Sequence, residues 1–163
     1  MNGVALCAGV GGLELGLRLA IGETYRTVCY VERDAFAASA LVARMEDKVL
    51  DSAPVWDDIT TFSGESWRGC VDLITAGFPC QPVSTAGRRR GTADARWLWP
   101  HVARIVREIR PEWVFLENVR GLLNANGGAA FAEVLGGLAD AGYDAEWGLL
   151  SAAQATAPHR RER

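Results

Sequence analysis

The sequence predicts a doubly wound α/β fold with a mostly parallel sheet. Short apolar runs alternate along the chain with longer segments whose apolar residues recur at helical spacing, a pattern typical of successive βαβ units. A glycine-rich turn separates the first apolar run from the first helical segment. We therefore expect one domain over residues 1–163, with its ligand site at the carboxyl ends of the strands. The predicted strands are residues 4–7, 27–31, 55–59, 71–76, 113–116 and 143–150, and the predicted helices are residues 13–20, 35–45, 100–110 and 128–141.

The first strand, turn and helix contain a candidate ligand-binding backbone. Residues 8–12 read Ala-Gly-Val-Gly-Gly. Glycines let a backbone approach a ligand closely, and the start of the following helix presents free amide groups. A plain tight turn is the alternative interpretation of this pattern.

Acidic residues follow the second and third predicted strands. Glu32 comes about twenty residues after the glycines, where nucleotide-binding α/β folds place an acid for the ribose hydroxyls. Asp34 is suited to cap the second helix. The third strand contains Asp57 and Asp58, which alone would indicate only a turn.

The fourth strand leads into a loop with a candidate nucleophile. Pro79 and Pro82 restrict the backbone on either side of Cys80, so a thiol is held on a stiff turn. A lone cysteine near a strand end is also typical of a core. The polar, glycine-flanked residues 87–91 follow, and we expect them to move as a lid over the site.

The last third of the chain adds a second set of polar residues. Pro100 fits the first turn of the third helix. The fifth strand ends at Glu117 and Asn118, on the same edge of the predicted sheet as Cys80. Gly142 is suited to end the fourth helix, ahead of the predicted sixth strand.

Composition limits the classes of protein and of partner. The 163 residues are 49% hydrophobic, enough for one domain with a sizeable core. The longest apolar runs are much shorter than the roughly 20 residues that cross a bilayer, and no export signal is visible, so we expect a cytoplasmic protein with no membrane partner. The net charge of -3 argues against DNA binding by the whole surface. Basic residues nevertheless gather at 88–90 and 159–163, which predicts either a polyanion-binding region or a solvated face.

The four cysteines lack the paired spacings of a zinc site or a disulfide scaffold, so we expect no metal. We interpret Cys7, Cys29 and Cys70 as core residues and Cys80 as the reactive one.

Three motifs together resemble the cytosine-5 DNA methyltransferase family. They are Pro79-Cys80-Gln81 after a strand, Glu117-Asn118-Val119 at the end of a later strand, and Arg161-Glu162-Arg163 beyond it. The resemblance extends over almost the whole chain. It implies the Rossmann-like fold of S-adenosylmethionine-dependent methyltransferases, here without its last strand, and methyl transfer from S-adenosylmethionine to carbon 5 of cytosine in DNA.

The same resemblance implies the roles of individual residues. Cys80 would add to ring carbon 6 of a flipped cytosine, Glu117 would act as the acid at the ring nitrogen, Arg161 would hold the ring carbonyl, and Arg163 would support Glu117. The implied cofactor-binding residues are Cys7, Ala8, Gly9, Gly11, Gly12, Glu32, Arg33, Asp58, Ile59, Gly77, Pro79 and Leu98. The implied DNA-binding residues are Gln81, Ser84, Arg88, Arg89 and Arg90.

The sequence departs from the family pattern at the cofactor and at its end. Cys7 replaces a phenylalanine that lies against the adenine, and Arg33 stands where some members carry an aromatic residue, so we expect weakened cofactor binding that Leu98 can partly compensate. The chain ends at Arg163, where the family continues into a last strand and a target recognition domain. We therefore expect a fragment, a truncated product or one half of a split enzyme, which alone binds S-adenosylmethionine weakly at best and does not methylate DNA efficiently.

The expected partners are double-stranded DNA, a second chain or C-terminal part that carries the target recognition domain, and a second copy of this chain paired through an exposed sheet edge. Three other functions remain open from the residues. They are methylation of tRNA cytosine by the same chemistry, a non-catalytic cofactor-binding remnant that acts through a partner, and an NAD-binding dehydrogenase, which would use the glycines and Glu32 but not Pro79-Cys80-Gln81.

Overall fold

The computed structural model describes residues 1–79 and 97–163. It divides into two compact units. The first unit comprises Met1–Phe78 and His101–Leu116, and the second comprises the described residues of Pro79–Pro100 and Glu117–Arg163.

The described elements follow the predicted alternation of strand and helix. The strands are β1 (Asn2–Leu6), β2 (Arg26–Val31), β3 (Val55–Trp56), β4 (Leu73–Ala76) and β5 (Trp113–Leu116). The helices are α1 (Gly12–Ile21), α2 (Ala35–Glu46), α3 (Trp99–Ile109) and α4 (Ala129–Asp140). Short 3-10 turns occur at Gly22–Thr24, Glu65–Trp67 and Ala152–Ala155. Arg120–Gly128 also contains 3-10 structure, which is interrupted by the non-helical backbone of Ala125, Asn126 and Gly127.

The five strands form one parallel sheet in the first unit, in the order β3-β2-β1-β4-β5. The order reverses between β1 and β4, so the predicted doubly wound fold is confirmed. Leu6 pairs with Val31 on one side and with Ala76 on the other, and Val31 pairs with Trp56. The carboxyl ends of these four strands are therefore level, and the residues that follow them emerge along one edge.

The core of the first unit is formed by its strands and by the helices that pack on them. Residues of β1 are buried on both faces, as expected for a strand covered on both sides. Tyr30 of β2 and Leu41 of α2 pack with Leu50 and Ala5 in one cluster, which holds α2 against the sheet. The apolar positions of α3 that the sequence predicts as a stripe are fully buried or nearly so: Val102, Ile105, Val106 and Ile109.

The second unit is built around α4, whose Ala130, Val134 and Leu138 are buried. A Cβ added at Gly137 would lie 2.9 Å from the Trp99 ring, so this glycine permits close packing of the indole. The predicted stop at Gly142 is confirmed. Its φ is +90°, and its amide donates to the carbonyl of Ala139 at 2.9 Å.

Two strand predictions need correction. The third strand ends at Trp56 rather than at residue 59, because the amides of Thr60 and Thr61 bond to Asp58 and turn the chain. Residues 143–150 form no strand. Instead, the amide and carbonyl of Leu150 pair with Arg163 at 2.8 Å each, so this backbone bonds to the C-terminal residues and not to the sheet.

One core prediction is also wrong. Cys29 is buried and Cys7 is half-buried, but Cys70 is exposed. The amide of Cys70 donates to the carbonyl of Trp67, and Gly69 has a φ of +77°. This tight turn places Cys70 at the surface, before β4 enters the core.

In the part of the chain that the structure describes, no helix is long and apolar enough to cross a membrane.

Candidate active site

The glycine turn follows β1 directly and is built from left-handed backbone. Gly9 and Gly11 have φ values of +55° and +77°, and Cys7 also has a positive φ of +51°. The amide of Gly11 donates to the carbonyl of Ala8 at 2.9 Å, which closes the turn. Glycine adopts this backbone without strain, so the repeated glycines are required by the conformation itself.

The turn has one packed side and two open positions. A Cβ at Gly11 would overlap Cδ1 of Leu50 and lie 3.0 Å from Cδ2 of Leu41. A Cβ at Gly9 or Gly12 would meet no atom within 4 Å. Gly11 therefore serves packing against α2 and Leu50, while Gly9 and Gly12 leave room for another molecule to approach the backbone.

Glu32 lies beside this turn, as the sequence predicts. One carboxylate oxygen accepts the amide of Gly9 at 2.7 Å, and the other accepts the amide of Asp34 at 2.7 Å. Asp34 in turn caps α2 by accepting the amide of Ala37 at 2.8 Å, which confirms the predicted cap. Glu32 thus ties the glycine turn to the end of β2 and the start of α2.

The thiol of Cys7 is held neutral at this site. Burial, together with the nearby negative charge of Glu32, raises the pKa of Cys7 to about 12. A neutral thiol is a poor nucleophile, so Cys7 is suited to packing and not to covalent chemistry.

A second carboxylate follows β3. Asp58 accepts the amide of Thr60 at 2.8 Å, and this bond is the main reason that the pKa of Asp58 is lowered. The positive charges of Arg33 and His101 act in the same direction. Asp58 is therefore an ionised acceptor. The next residue, Ile59, is buried.

The second unit contains an ion pair between the predicted catalytic residues Glu117 and Arg163. Arg163 forms an ion pair with Glu117 at 2.5 Å, and both side chains are partly buried. The backbone bonds between Arg163 and Leu150 hold this arginine in place. Arg120 forms a further ion pair with Glu162 at 2.8 Å, so the residues after β5 and the C-terminal residues are linked twice.

The remaining predicted residues are less tightly placed. Gly77 directly follows β4 in the first unit and is half-buried. In the second unit, Leu98 is half-buried and Pro79 is exposed. Arg161 is also exposed there, with its carbonyl bonded to the amide of Ala152 at 3.1 Å. Six predicted residues lie outside the described ranges: Cys80, Gln81, Ser84, Arg88, Arg89 and Arg90.

A comparison with family models decides the family. The model described as C-5 cytosine-specific DNA methylase matches residues 1–163. The chain belongs to this family.

The curated relatives of the chain support this family assignment. The chain is 37% identical over 166 residues to the type II methyltransferase M.PspPI of Psychrobacter sp. (strain TA137), covering 98% of this chain and 37% of that protein. It is 36% identical over 149 residues to the type II methyltransferase M.NgoMIV of Neisseria gonorrhoeae, covering 91% of this chain and 45% of that protein. The methylase chain therefore spans less than half the length of these relatives.

Solved structures support the fold of the methylase chain. The methyltransferase EhMeth of Entamoeba histolytica matches with a TM-score of 0.77 and 17% identity, over 99% of this chain and 50% of that one. The Dnmt2 methyltransferase of S. pombe matches with a TM-score of 0.71 and 21% identity, over 99% of this chain and 46% of that one. At these identities the likeness concerns the fold alone.

Sequence reasoning missed three residues of the methylase site region. Arg44 bonds to the glycine turn, Glu14 is buried in the first turn of α1, and His101 contributes to the lowered pKa of Asp58. An acid in the first turn of a helix is usually explained by the positive helix end, and an arginine in the last turn by the negative end. Neither pattern signals a long-range contact.

Proposed function

We propose that this chain is the S-adenosylmethionine-binding and catalytic part of a cytoplasmic DNA cytosine-5 methyltransferase of a type II restriction-modification system. The observation that carries the proposal is the glycine turn bonded to Glu32, with Gly9 and Gly12 open, in a chain of the C-5 cytosine-specific methylase family. The description of its family, C-5 cytosine-specific DNA methylase, supports DNA as the substrate.

The donors and acceptors of the first unit fit S-adenosylmethionine. The carboxylate of Glu32 is suited to the ribose hydroxyls, and the ionised Asp58 is suited to the adenine amine. Ile59 would pack against the adenine, and Arg33 would lie beside it. The backbone of Cys7, Ala8, Gly9, Gly11 and Gly12 would line the cofactor, together with Gly77. S-adenosylmethionine, when bound, supplies an electrophilic methyl group.

The chain's own residues would activate the cytosine. The thiolate of Cys80 forms a bond to ring carbon 6, and the electron pair of the carbon 5–carbon 6 double bond makes carbon 5 nucleophilic. Glu117 protonates the ring nitrogen on which negative charge develops, and Arg161 holds the ring carbonyl. After carbon 5 is methylated, its proton passes to water, and the pair of the broken C–H bond forms the carbon 5–carbon 6 double bond. The bond to Cys80 breaks with its electron pair leaving on the sulfur as a thiolate, and the ring nitrogen returns its proton to Glu117, so the aromatic ring is restored.

The ion pair between Arg163 and Glu117 supports the role of Arg163 as an orienting residue. An acid must be within hydrogen-bond reach of the group that it protonates, so its orientation matters as much as its proton affinity. Arg163 is fixed to Leu150 through its own backbone and therefore gives Glu117 a defined partner.

The substrate would be double-stranded DNA with the target cytosine flipped into the site, because neither face of a stacked base is open to a thiol. Gln81, Ser84, Arg88, Arg89 and Arg90 would contact the DNA backbone and the flipped nucleotide. Since the chain spans less than half the length of its relatives, we propose that a C-terminal part or a second chain supplies the target recognition domain.

A trapping assay tests this function. The protein is mixed with S-adenosylmethionine and duplex DNA that carries 5-fluorocytosine, and covalent adducts are separated on a denaturing gel. Fluorine cannot leave as a proton does, so the Cys80 adduct accumulates even when turnover is slow. We expect a low-yield adduct that is lost in Cys80→Ala.

Cys70→Ala is the matched control, because Cys70 is an exposed thiol outside the proposed site. Its adduct should equal that of the unaltered protein. An adduct that survives in Cys80→Ala, or a stronger adduct with fluorinated tRNA than with duplex DNA, would contradict the proposal.

A further inference from the structure

The peptide group between Val10 and Gly11 is held at both ends. Its N–H, on Gly11, donates to the carbonyl of Ala8 at 2.9 Å. Its carbonyl, on Val10, accepts the guanidinium Nη1 of Arg44 at 2.6 Å. Val10 itself is exposed, so Arg44 anchors a peptide group in a part of the turn that core packing does not reach.

Arg44 contacts the glycine turn from the last turns of α2. Its own carbonyl accepts the amides of Val49 and Leu50, at 2.9 and 3.1 Å, and thereby shapes the chain that follows the helix. That chain places the Leu50 side chain against Gly11. The end of α2 therefore supports the turn twice, through an apolar contact below Gly11 and a charge-assisted hydrogen bond to Val10.

The hydrogen bond from Arg44 to Val10 matters because Gly11 does little to prevent rotation of the Val10–Gly11 peptide group. Gly11 adopts φ values of either sign at little cost, so the Val10–Gly11 peptide could rotate without steric penalty at Gly11. Rotation would break both hydrogen bonds and reposition the backbone beside the open glycines, Gly9 and Gly12. Arg44 opposes it, since its charge-assisted hydrogen bond to the Val10 carbonyl is lost when that carbonyl turns away.

We propose that Arg44 is a positioning residue for the cofactor site, which fixes the Val10–Gly11 peptide so that Gly9 and Gly12 stay presented to S-adenosylmethionine. This inference rests on the proposed cofactor of the first unit. Arg44 acts through the turn and makes no contact of its own with the cofactor.

The test compares the dissociation constant for S-adenosylmethionine in the full 163-residue chain and in Arg44→Met and Arg44→Lys. Binding is followed by backbone amide NMR, which detects weak binding and reports the Gly9, Gly11 and Gly12 signals directly. Loss of one charge-assisted bond that organises the site should weaken binding about tenfold in Arg44→Met. Arg44→Lys keeps a cationic donor and should recover most of the affinity. In the cofactor-free protein, Arg44→Met should broaden or split the Gly11 amide signal.

Arg68→Met is the matched control. Arg68 also donates to backbone carbonyls, those of Glu108 and Arg107 at 2.8 and 3.2 Å, but it does not contact the glycine turn. Its substitution should lower thermal stability and leave the dissociation constant unchanged.

Two outcomes would overturn the inference while the proposed cofactor stands: equal affinity in Arg44→Met and the unaltered chain, or equal weakening by Arg44→Met and Arg68→Met. Absence of any perturbation of the unaltered chain at millimolar S-adenosylmethionine would instead refute the proposed cofactor, and the inference with it.

Discussion

Glu14 is a buried acid in the first turn of α1. It is 2% exposed, and one of its carboxyl oxygens accepts the hydroxyl of Thr75 on β4 at 2.6 Å. Its other oxygen is buried without a hydrogen-bond partner among the described residues. Burial raises the pKa of Glu14 above its ordinary value of 4.5. The folded protein therefore favours the neutral acid, because an unpaired charge would be costly there.

This predicts a pH-dependent effect of Glu14→Gln on the free energy of unfolding. Above pH 4.5 the unfolded chain releases the Glu14 proton while the folded chain retains it, so stability falls as pH rises toward the higher folded pKa. Glutamine keeps the acceptor for Thr75 and cannot ionise. The variant should gain stability relative to the unaltered protein as the pH rises above 4.5, as measured by urea denaturation.

The neighbouring hydroxyls do not disturb this prediction. Burial raises the pKa of Tyr30 to about 12 and the pKa of Tyr25 further, so both stay neutral in this range. Glu46→Gln, at an exposed position on α2, is a control for the loss of a surface carboxylate. A stability difference for Glu14→Gln that is constant with pH would show that Glu14 is already ionised in the folded state.

At the scale of elements, the C-terminal residues form a compact loop around a 3-10 turn. Ser151 and Gln154 form a capping box at the start of Ala152–Ala155, and Thr156 ends it with a φ of +65°. Threonine is β-branched, so this left-handed backbone is strained. The strain lies in the loop that returns Arg163 to Glu117.

Thr156→Gly should therefore stabilise the protein. Left-handed backbone costs an L residue roughly 1–2 kcal/mol, and the extra freedom of glycine in the unfolded chain offsets about 0.4–1 kcal/mol of the gain. We expect a net increase of up to about 1.6 kcal/mol in the free energy of unfolding. Ala153→Gly, inside the 3-10 turn, is the comparison and should destabilise. An unchanged or lower stability for Thr156→Gly would mean that its hydroxyl bond to Ala155 outweighs the strain.

At the scale of the whole molecule, β5 forms one edge of the described sheet and exposes two aromatic side chains. Trp113 is 58% exposed and Phe115 is 47% exposed. They are two positions apart on β5, so their side chains lie on the same face of the sheet. An edge strand presents unpaired backbone groups, and apolar side chains beside them favour association.

We therefore expect the chain to self-associate through β5 as its concentration rises. Phe115→Lys should shift sedimentation toward the monomer, because a lysine on an edge strand opposes pairing with a second strand. Leu19→Lys, at a 79% exposed apolar position on α1, should not have this effect. A strictly monomeric profile of the unaltered protein at high concentration would count against association through this edge.

The amino-acid sequence by itself determined the order of the five described strands and four helices, and it placed Glu32 and Glu117 directly after the ends of their strands. Strand and helix periodicity, the glycine turn, the cap at Asp34 and the stop at Gly142 are local features, and each acts through residues a few positions away. The resemblance to the family predicted that Arg163 supports Glu117, and the two side chains form an ion pair. Local sequence patterns do not indicate a contact between residues so far apart in the chain.

The tertiary structure decided the contacts that join distant segments. The bond from Arg44 to Val10, the burial of Glu14 against Thr75, and the failure of residues 143–150 to form a strand leave no periodic signal in the sequence. In each case a group met a partner far away along the chain: Arg44 lies 34 residues from Val10, Thr75 lies 61 residues from Glu14, and Leu150 pairs with Arg163. These pairings depend on packing, which composition and spacing do not encode.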